Sequence, residues 1–215
     1  MAKYPGVSMM VTRRLPRYYR CLEDLIQKGV ERISSREFAQ IIGFTASQIR
    51  QDLNCFGGFG QQGYGYNVSV LYQEIGRILS VDREYPAILV GAGNLGLALV
   101  NHMGFQQKGF KLAGIFDKNP SIIGKIVGGW PVCDVAEMDA FCKAHKPVAA
   151  ALCVPDSAAL EVAERLVRNG VRGFWNFTHH DLSLLYKQED VAVENVYLGD
   201  SLMTLTFLVT ELIEE

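Results

Sequence analysis

Ala87-Ile88-Leu89-Val90-Gly91-Ala92-Gly93-Asn94-Leu95-Gly96-Leu97-Ala98-Leu99-Val100 is the stretch that decides the fold of the longer part of the chain. Four consecutive apolar residues read as a short buried strand, and an apolar helix begins directly behind the glycines. G-x-G-x-x-G lies between them, and in that setting each glycine has a task. One permits a tight turn, one lets the backbone approach a pyrophosphate, and one lets the helix lie against the strand. The helix N-terminus adds free N–H groups and partial positive charge.

Moving outward, a strand over residues 110–116 ends in Asp117, twenty-one residues after Gly96. A carboxylate at that spacing can accept hydrogen bonds from an adenosine ribose, and it repels a 2′-phosphate. NAD(H) is therefore favoured over NADP(H), with Lys118 tempering the discrimination. Asp117 reads alternatively as a turn residue ahead of Asn119-Pro120. A helix near 134–144, a strand over 148–154 that ends at Pro155, a helix near 156–169 and a strand over 173–177 continue the alternation. Such alternation predicts a doubly wound parallel sheet with right-handed crossovers, whose ligand crevice lies beyond the strand C-termini. That nominates Gly91, Asp117, Val154, Pro155 and Phe177. Asp200 reads as the cap of a last helix in which Leu202, Met203, Leu205, Phe207, Leu208, Val209, Leu212 and Ile213 cover more than one face. A helix apolar on nearly all sides has to be buried. It can pack on its own sheet; insertion into a partner subunit explains it better, and a two-fold dimer would supply two recognition helices for a palindrome.

In the first 80 residues, Leu15, Tyr18, Tyr19, Leu22, Leu25 and Ile26 recur at three- and four-residue spacing, with Gly29 placed to end the helix. Ser34-Ser35-Arg36-Glu37 reads as a capping box opening a short helix with Phe38, Ile41 and Ile42 facing inward, ended by Gly43. Thr45-Ala46-Ser47-Gln48 reads as a second box, starting a helix through Ile49, Leu53 and Phe56 that leaves Ser47, Gln48, Arg50, Gln51 and Asn54 on other faces. Two short helices joined by a tight turn, the second polar in its N-terminal half, can lay a recognition helix in a major groove; any small helical bundle shares the pattern. Phe56 to Tyr66 then holds five glycines in eleven residues, interleaved with aromatics. This suits a β-hairpin wing, or a flexible linker. A further helix at about 68–80 (Val70, Leu71, Ile75, Ile78, Leu79) joins the modules.

The chain has 215 residues and a formal net charge of −2, a length that favours two modules. Residues 1–80 hold ten Lys/Arg against six Asp/Glu, whereas residues 81–215 hold eleven against seventeen. Five cations and no anion fall within the first 22 residues, a local excess that attracts phosphate backbones. Five scattered cysteines without C-x-x-C spacing argue against a disulfide framework or a zinc site, and the His179-His180 pair reads as a surface turn. No apolar run of membrane length and no signal-peptide core appear, so a cytoplasmic protein without a membrane partner is expected.

The order of winged helix, NAD-type Rossmann fold and apolar terminal helix resembles the bacterial redox-sensing repressor family Rex along essentially the whole chain. The stretches that carry the likeness are Leu15-Pro16-Arg17-Tyr18-Tyr19-Arg20, Gln48-Ile49-Arg50-Gln51-Asp52-Leu53, Phe56-Gly57 to Gly65-Tyr66, the glycine loop, Val154-Pro155, Asn176-Phe177 and Val193-Glu194-Asn195-Val196. The resemblance implies a winged-helix DNA-binding domain over 1–82, a Rossmann NAD(H)-binding domain over 83–198, and a domain-swapped dimerisation helix over 199–215. It implies a homodimer that holds double-stranded operator DNA and is released by NADH, so that NADH and NAD⁺ act as effectors and no catalytic residue is needed. DNA contacts are then expected from Arg13, Arg14, Ser47, Gln48, Arg50, Gln51, Gln61, Gln62, Gly63 and Tyr64. Dinucleotide contacts are expected from Gly91, Ala92, Gly93, Asn94, Leu95, Gly96, Asp117, Lys118, Val154, Pro155 and Phe177, with His102 and Tyr197 near the nicotinamide.

Three departures stand out. Arg50-Gln51-Asp52-Leu53 has Gln51 where the family commonly has lysine, and Gln62 replaces the usual basic residue of the wing. His102 and Tyr197 stand where the family often has tyrosine and aspartate, and an imidazole there would add pH sensitivity. Two rivals remain, a nicotinamide-dependent oxidoreductase with a helical extension and a module that binds CoA or another nucleotide. Against the first, no Ser-x-x-x-Tyr-x-x-x-Lys pattern or convincing acid/base pair follows the glycine loop.

Overall fold

The computed structural model describes residues 7–59, 64–186 and 190–213, in two units, Met1–Asp82 and Arg83–Glu215. In the first, Ser8 accepts from the Val11 N–H and starts α1 (Met9–Gln27), satisfying a donor that a helix start leaves bare. One stripe of α1 buries Val11, Leu15, Tyr18, Leu22 and Leu25. After β1 (Arg32–Ile33), the Ser34–Glu37 capping box forms in full and opens α2 (Ser35–Ile42), which Gly43 ends at φ +69°. Thr45 caps α3 (Ala46–Asn54), β2 (Tyr66–Asn67) pairs antiparallel with β1, and Asn67 caps α4 (Val68–Leu79). Tyr18, Phe38, Ile49, Leu71 and Ile75 meet in the core of this unit.

Several local expectations change. Ile41 is 56% exposed and Val70 54%; Phe38 and Ile42, four residues apart, already fill the inward stripe of a two-turn helix, and Ile41 sits about 100° away from Ile42. The second capping box is only half made: Thr45 accepts from the Gln48 N–H, while the Gln48 side chain turns to Asp52. Phe56 lies past the end of α3, half-buried against the core. Among the described residues, the stretch between α3 and α4 forms no hairpin of its own. Its one strand, β2, pairs with β1 from ahead of α2.

The second unit runs β3 (Tyr85–Val90), α5 (Asn94–His102), β4 (Phe110–Asp117), β5 (Ile126–Val127), β6 (Trp130–Asp134), α6 (Met138–His145), β7 (Ala149–Leu152), α7 (Asp156–Arg168), β8 (Gly173–Asn176), β9 (Ala192–Asn195) and α8 (Leu198–Ile213). The sheet order is β5-β6-β4-β3-β7-β8-β9, parallel except between β5 and β6. Period-two alternation splits the core. Ile88, Val90, Phe116 and Leu152 pack with Met138, Cys142, Ala163 and Leu166 on one face. Leu89, Ile115 and Ala151 pack with Leu99 on the other. The strands β5, β6 and β9 were not anticipated: they lie toward the sheet edges, and Pro131 or alternating polar residues interrupt the apolar run that marks β3. The chain leaves β3 toward β4 and later returns to β7 on the other side, so the topology switches beside the C-terminal end of β3.

Helix α8 begins at Leu198, so Asp200 lies in its first turn and does not precede it as a cap. Its described side chains are exposed, apart from a half-buried Thr210. No described helix is long and apolar enough to cross a membrane.

Candidate functional site

At the ends of the central strands, Val90 is level with Phe116 and Leu152, so Gly91, Asp117 and Cys153 emerge together. Gly91 has φ +100°, and a Cβ on it would stand 2.3 Å from the Cys153 carbonyl oxygen. A Cβ on Gly96 would stand 2.0 Å from the Gly91 oxygen. These two glycines let helix, turn and strand approach one another. Gly93 differs. It caps α5 with φ −74°, and a Cβ there would meet nothing within 4 Å. It faces a cleft of about 520 Å³ that Gly91, Gly93, Asp117, Lys118, Val154 and Pro155 all line. Free N–H groups of the first turn of α5 beside an open position fit a pyrophosphate, which needs close backbone approach and offers negative charge.

Asp117 closes the turn from its far side. Its Oδ2 accepts from the Ala92 N–H at 2.6 Å and its Oδ1 from the Asn119 N–H at 2.8 Å. The turn reading of this residue is thus observed, and each carboxylate oxygen keeps a lone-pair direction for a further donor. Ala92, Asn94, Leu95 and Gly96 build the turn and the first helical residues without lining the cleft. Phe177 packs edge-on against Trp175 at 4.6 Å, and His102 is exposed at the far end of α5, about 12 Å along the helix from its start. Tyr197 lies just ahead of α8; burial raises its hydroxyl pKa, with Asp181 and Asp200 adding to the effect. None of these three lines the cleft.

Sequence reasoning missed Cys153, Glu161 and Arg165, which also line the cleft. Burial pushes the Cys153 thiol up to about 12. Glu161 and Arg165 share one face of α7 by their i,i+4 spacing, a signal readable only once that face is known to look at the cleft. The stretches near Asn176 and Asn195 that carry the family likeness have a plain role. Buried Asn176 donates to the His180 carbonyl and the Asn195 Oδ1, accepts from Thr178, and Asn195 donates on to Asp181. This ties the ends of β8 and β9 together. His179 lies on an exposed bend and holds Asp156 through both its backbone N–H and its ring.

In the first unit, α3 exposes Ser47, Arg50, Gln51 and Asn54 and buries Ile49, Asp52 and Leu53. Arg50 reaches Ser35 at 2.9 Å from an exposed position. Arg13 is exposed on α1, and Tyr64 is 71% exposed, its carbonyl held by both Nε and Nη2 of Arg32. Arg14 is committed elsewhere: it makes a bidentate pair with Asp52, which also accepts from Tyr18 and Gln48. Burial pushes the Asp52 carboxyl up, but the hydrogen bonds from Arg14, Tyr18 and Gln48 outweigh it and leave the pKa below its ordinary value. Gln61, Gln62 and Gly63 lie outside the described residues. Among the described residues no cluster of His, Cys, Asp and Glu is placed to hold a metal.

Comparison with known proteins covers both units. A family model described as "Putative DNA-binding protein N-terminus" matches residues 6–54, and one described as "CoA binding domain" matches residues 82–180. The redox-sensing transcriptional repressor Rex of Clostridium beijerinckii is 51% identical over 211 residues, 98% of this chain and 99% of that one. Its counterpart in Clostridioides difficile is 52% identical over 206 residues, 96% of this chain and 97% of that one. Among solved structures, RSP in complex with β-NADH matches with a TM-score of 0.87 at 47% identity, covering 96% of this chain and 95% of that one. RSP with β-NAD⁺ and operator DNA matches with a TM-score of 0.88 at 50% identity, covering 95% and 93%.

Proposed function

This chain belongs to the Rex family of redox-sensing transcriptional repressors, and on that premise we propose that it holds operator DNA as a homodimer and lets go when NADH occupies the cleft beside β3 and β7. One observation carries the ligand half of the reading: of the three loop glycines, only Gly93 has open space where its Cβ would be. That is the position at which a pyrophosphate needs the backbone bare. Asp117 is the residue for the adenosine ribose, and Lys118, Val154 and Pro155 line the same cleft. His102 and Tyr197 serve the nicotinamide end, beyond the cleft, with Phe177. The family model named for CoA is compatible with the same half-fold. We favour NAD(H), because the Asp117 carboxylate would repel the 3′-phosphate of CoA.

DNA contacts come from Ser47, Gln48, Arg50 and Gln51 on α3, from Arg13, and from the wing that includes Gln61, Gln62, Gly63 and Tyr64. The dimer forms through α8. Thr204, Thr206 and Thr210 return their hydroxyl protons to carbonyls four residues back, so these three hydroxyls are satisfied within the helix and its largely apolar surface suits an apolar partner. Acting on DNA, the protein works in the cytoplasm, and the dinucleotide is read, not consumed.

The test is a gel-shift titration on the promoter upstream of its own gene. Retention with NAD⁺ and release by NADH are expected, with CoA inert. Equal binding with both nicotinamide forms would sink the sensor reading, and turnover of NADH with carbonyl acceptors would favour the oxidoreductase.

A further inference from the structure

Asp52 is 1% exposed, although it stands on the helix whose other faces carry the polar recognition residues. All four lone-pair directions of its carboxylate are used. Oδ1 accepts from Arg14 Nη2 at 2.7 Å and Gln48 Nε2 at 2.9 Å, and Oδ2 accepts from Arg14 Nε at 2.6 Å and Tyr18 Oη at 2.6 Å. An ionised carboxylate only accepts. Gln48 must therefore turn its NH₂ to Asp52, since the flipped amide would set oxygen against oxygen. The consequence is that Gln48 Oε1 lies on the side away from the carboxylate. Gln48 is the third residue of α3 and half-buried, in the N-terminal turn from which a recognition helix reaches base edges.

In the major groove adenine and cytosine present an amino donor, whereas guanine and thymine present a keto acceptor. A glutamine free to flip can meet either kind. One whose orientation is locked cannot, and that loss of the alternative is a source of specificity. We infer that Asp52, clamped by Arg14 and Tyr18, locks the Gln48 amide so that it meets DNA as an acceptor and selects an amino base over a keto base at one position in each half-site. This rests on the operator-binding reading above. Arg14 is then a positioning residue: its charge neutralises Asp52, not a phosphate.

Selection by the full-length protein from duplexes with a randomised core, followed by sequencing and anisotropy titrations on the winning duplex and its single-base variants, tests this. For the wild type, one position per half-site should favour A or C over G or T by about five- to hundredfold, the range of one good base contact. Gln48→Met, which leaves Asp52 with Arg14 and Tyr18, should still bind but lose preference at that position alone. Asp52→Asn should broaden the same position. Arg14→Met should leave the slope of log affinity against log salt unchanged, where loss of a phosphate contact would reduce it by about one. If either core variant fails to fold, judged by circular dichroism, Gln48→Met decides. An unchanged motif in Gln48→Met, a keto base at the position it controls, or a reduced slope in Arg14→Met overturns the inference. A wild type that enriches no motif would instead remove the operator-binding reading itself.

Discussion

Replacing each glycine of the turn by alanine separates folding from ligand binding. At Gly96 the new methyl would stand 2.0 Å from the Gly91 oxygen and 3.1 Å from Leu89 Cδ2. At Gly91 it would stand 2.3 Å from the Cys153 oxygen on a backbone at φ +100°. Neither backbone oxygen can yield without moving a central strand, so each change should cost about 2–4 kcal/mol, as overpacking and backbone strain add. Gly93→Ala meets nothing within 4 Å at an ordinary φ of −74°. Its poorer N-cap, worth roughly 0.5–1 kcal/mol, is offset by about the same gain in unfolded-chain entropy. Its melting temperature should therefore match the wild type. The methyl would, however, occupy the cleft face proposed for the pyrophosphate, removing at least one charge-assisted hydrogen bond worth about 1.5–3 kcal/mol. NADH affinity should fall about ten- to hundredfold. Calorimetric titration and thermal unfolding, each with and without NADH, measure both quantities. Wild-type NADH affinity in a folded Gly93→Ala protein would refute this placement of the ligand, and an unfolded one would refute the account of the turn.

Three further outcomes are expected. Asp52 has a lowered folded pKa, so its stabilisation is present above the ordinary carboxylate value and is lost as pH falls below about 4. Tyr18 has a raised one, from burial and then Asp52, so its contribution is present below about 10 and lost as pH climbs past it. Circular-dichroism melts should thus show a plateau between these limits, and an Asp52→Asn protein keeping the same acid limb would count against the assignment. Leu205→Glu combined with Leu208→Glu, both on exposed positions of α8, should weaken dimerisation by about 4 kcal/mol or more through lost burial. Sedimentation that still shows a dimer would move the interface elsewhere. Gln51→Lys should shift operator preference from A·T toward G·C at its contact position, since lysine favours guanine acceptors and glutamine suits adenine; equal affinity of both proteins for both operator versions would contradict it.

How far the sequence reached varies with the kind of signal. Strand, glycine turn and helix over 87–100 were legible because apolar runs and glycine spacing are local, and the Ser34–Glu37 box and the Gly43 stop were legible for the same reason. The strands β5, β6 and β9 were not, because short strands near a sheet edge draw their pairing from neighbours distant in the chain. Arg14 shows the same limit within the site. Its place among the N-terminal cations gave no sign of Asp52, the carboxylate it pairs with, which lies 38 residues away on another helix.

By itself, the order of residues indicated two modules in this chain, one carrying a glycine turn with an acidic residue at the end of the strand that follows, and a last helix apolar on more than one face. Periodicity, capping and glycine placement act over a few residues, so a single strand of text contains them. Only the tertiary structure decided that Gly93, unlike Gly91 and Gly96, looks onto open space, that Glu161 and Arg165 join the wall, and that a buried carboxylate dictates which way Gln48 faces. Those facts depend on groups brought together across tens of residues, where packing density and hydrogen-bond satisfaction choose the neighbours.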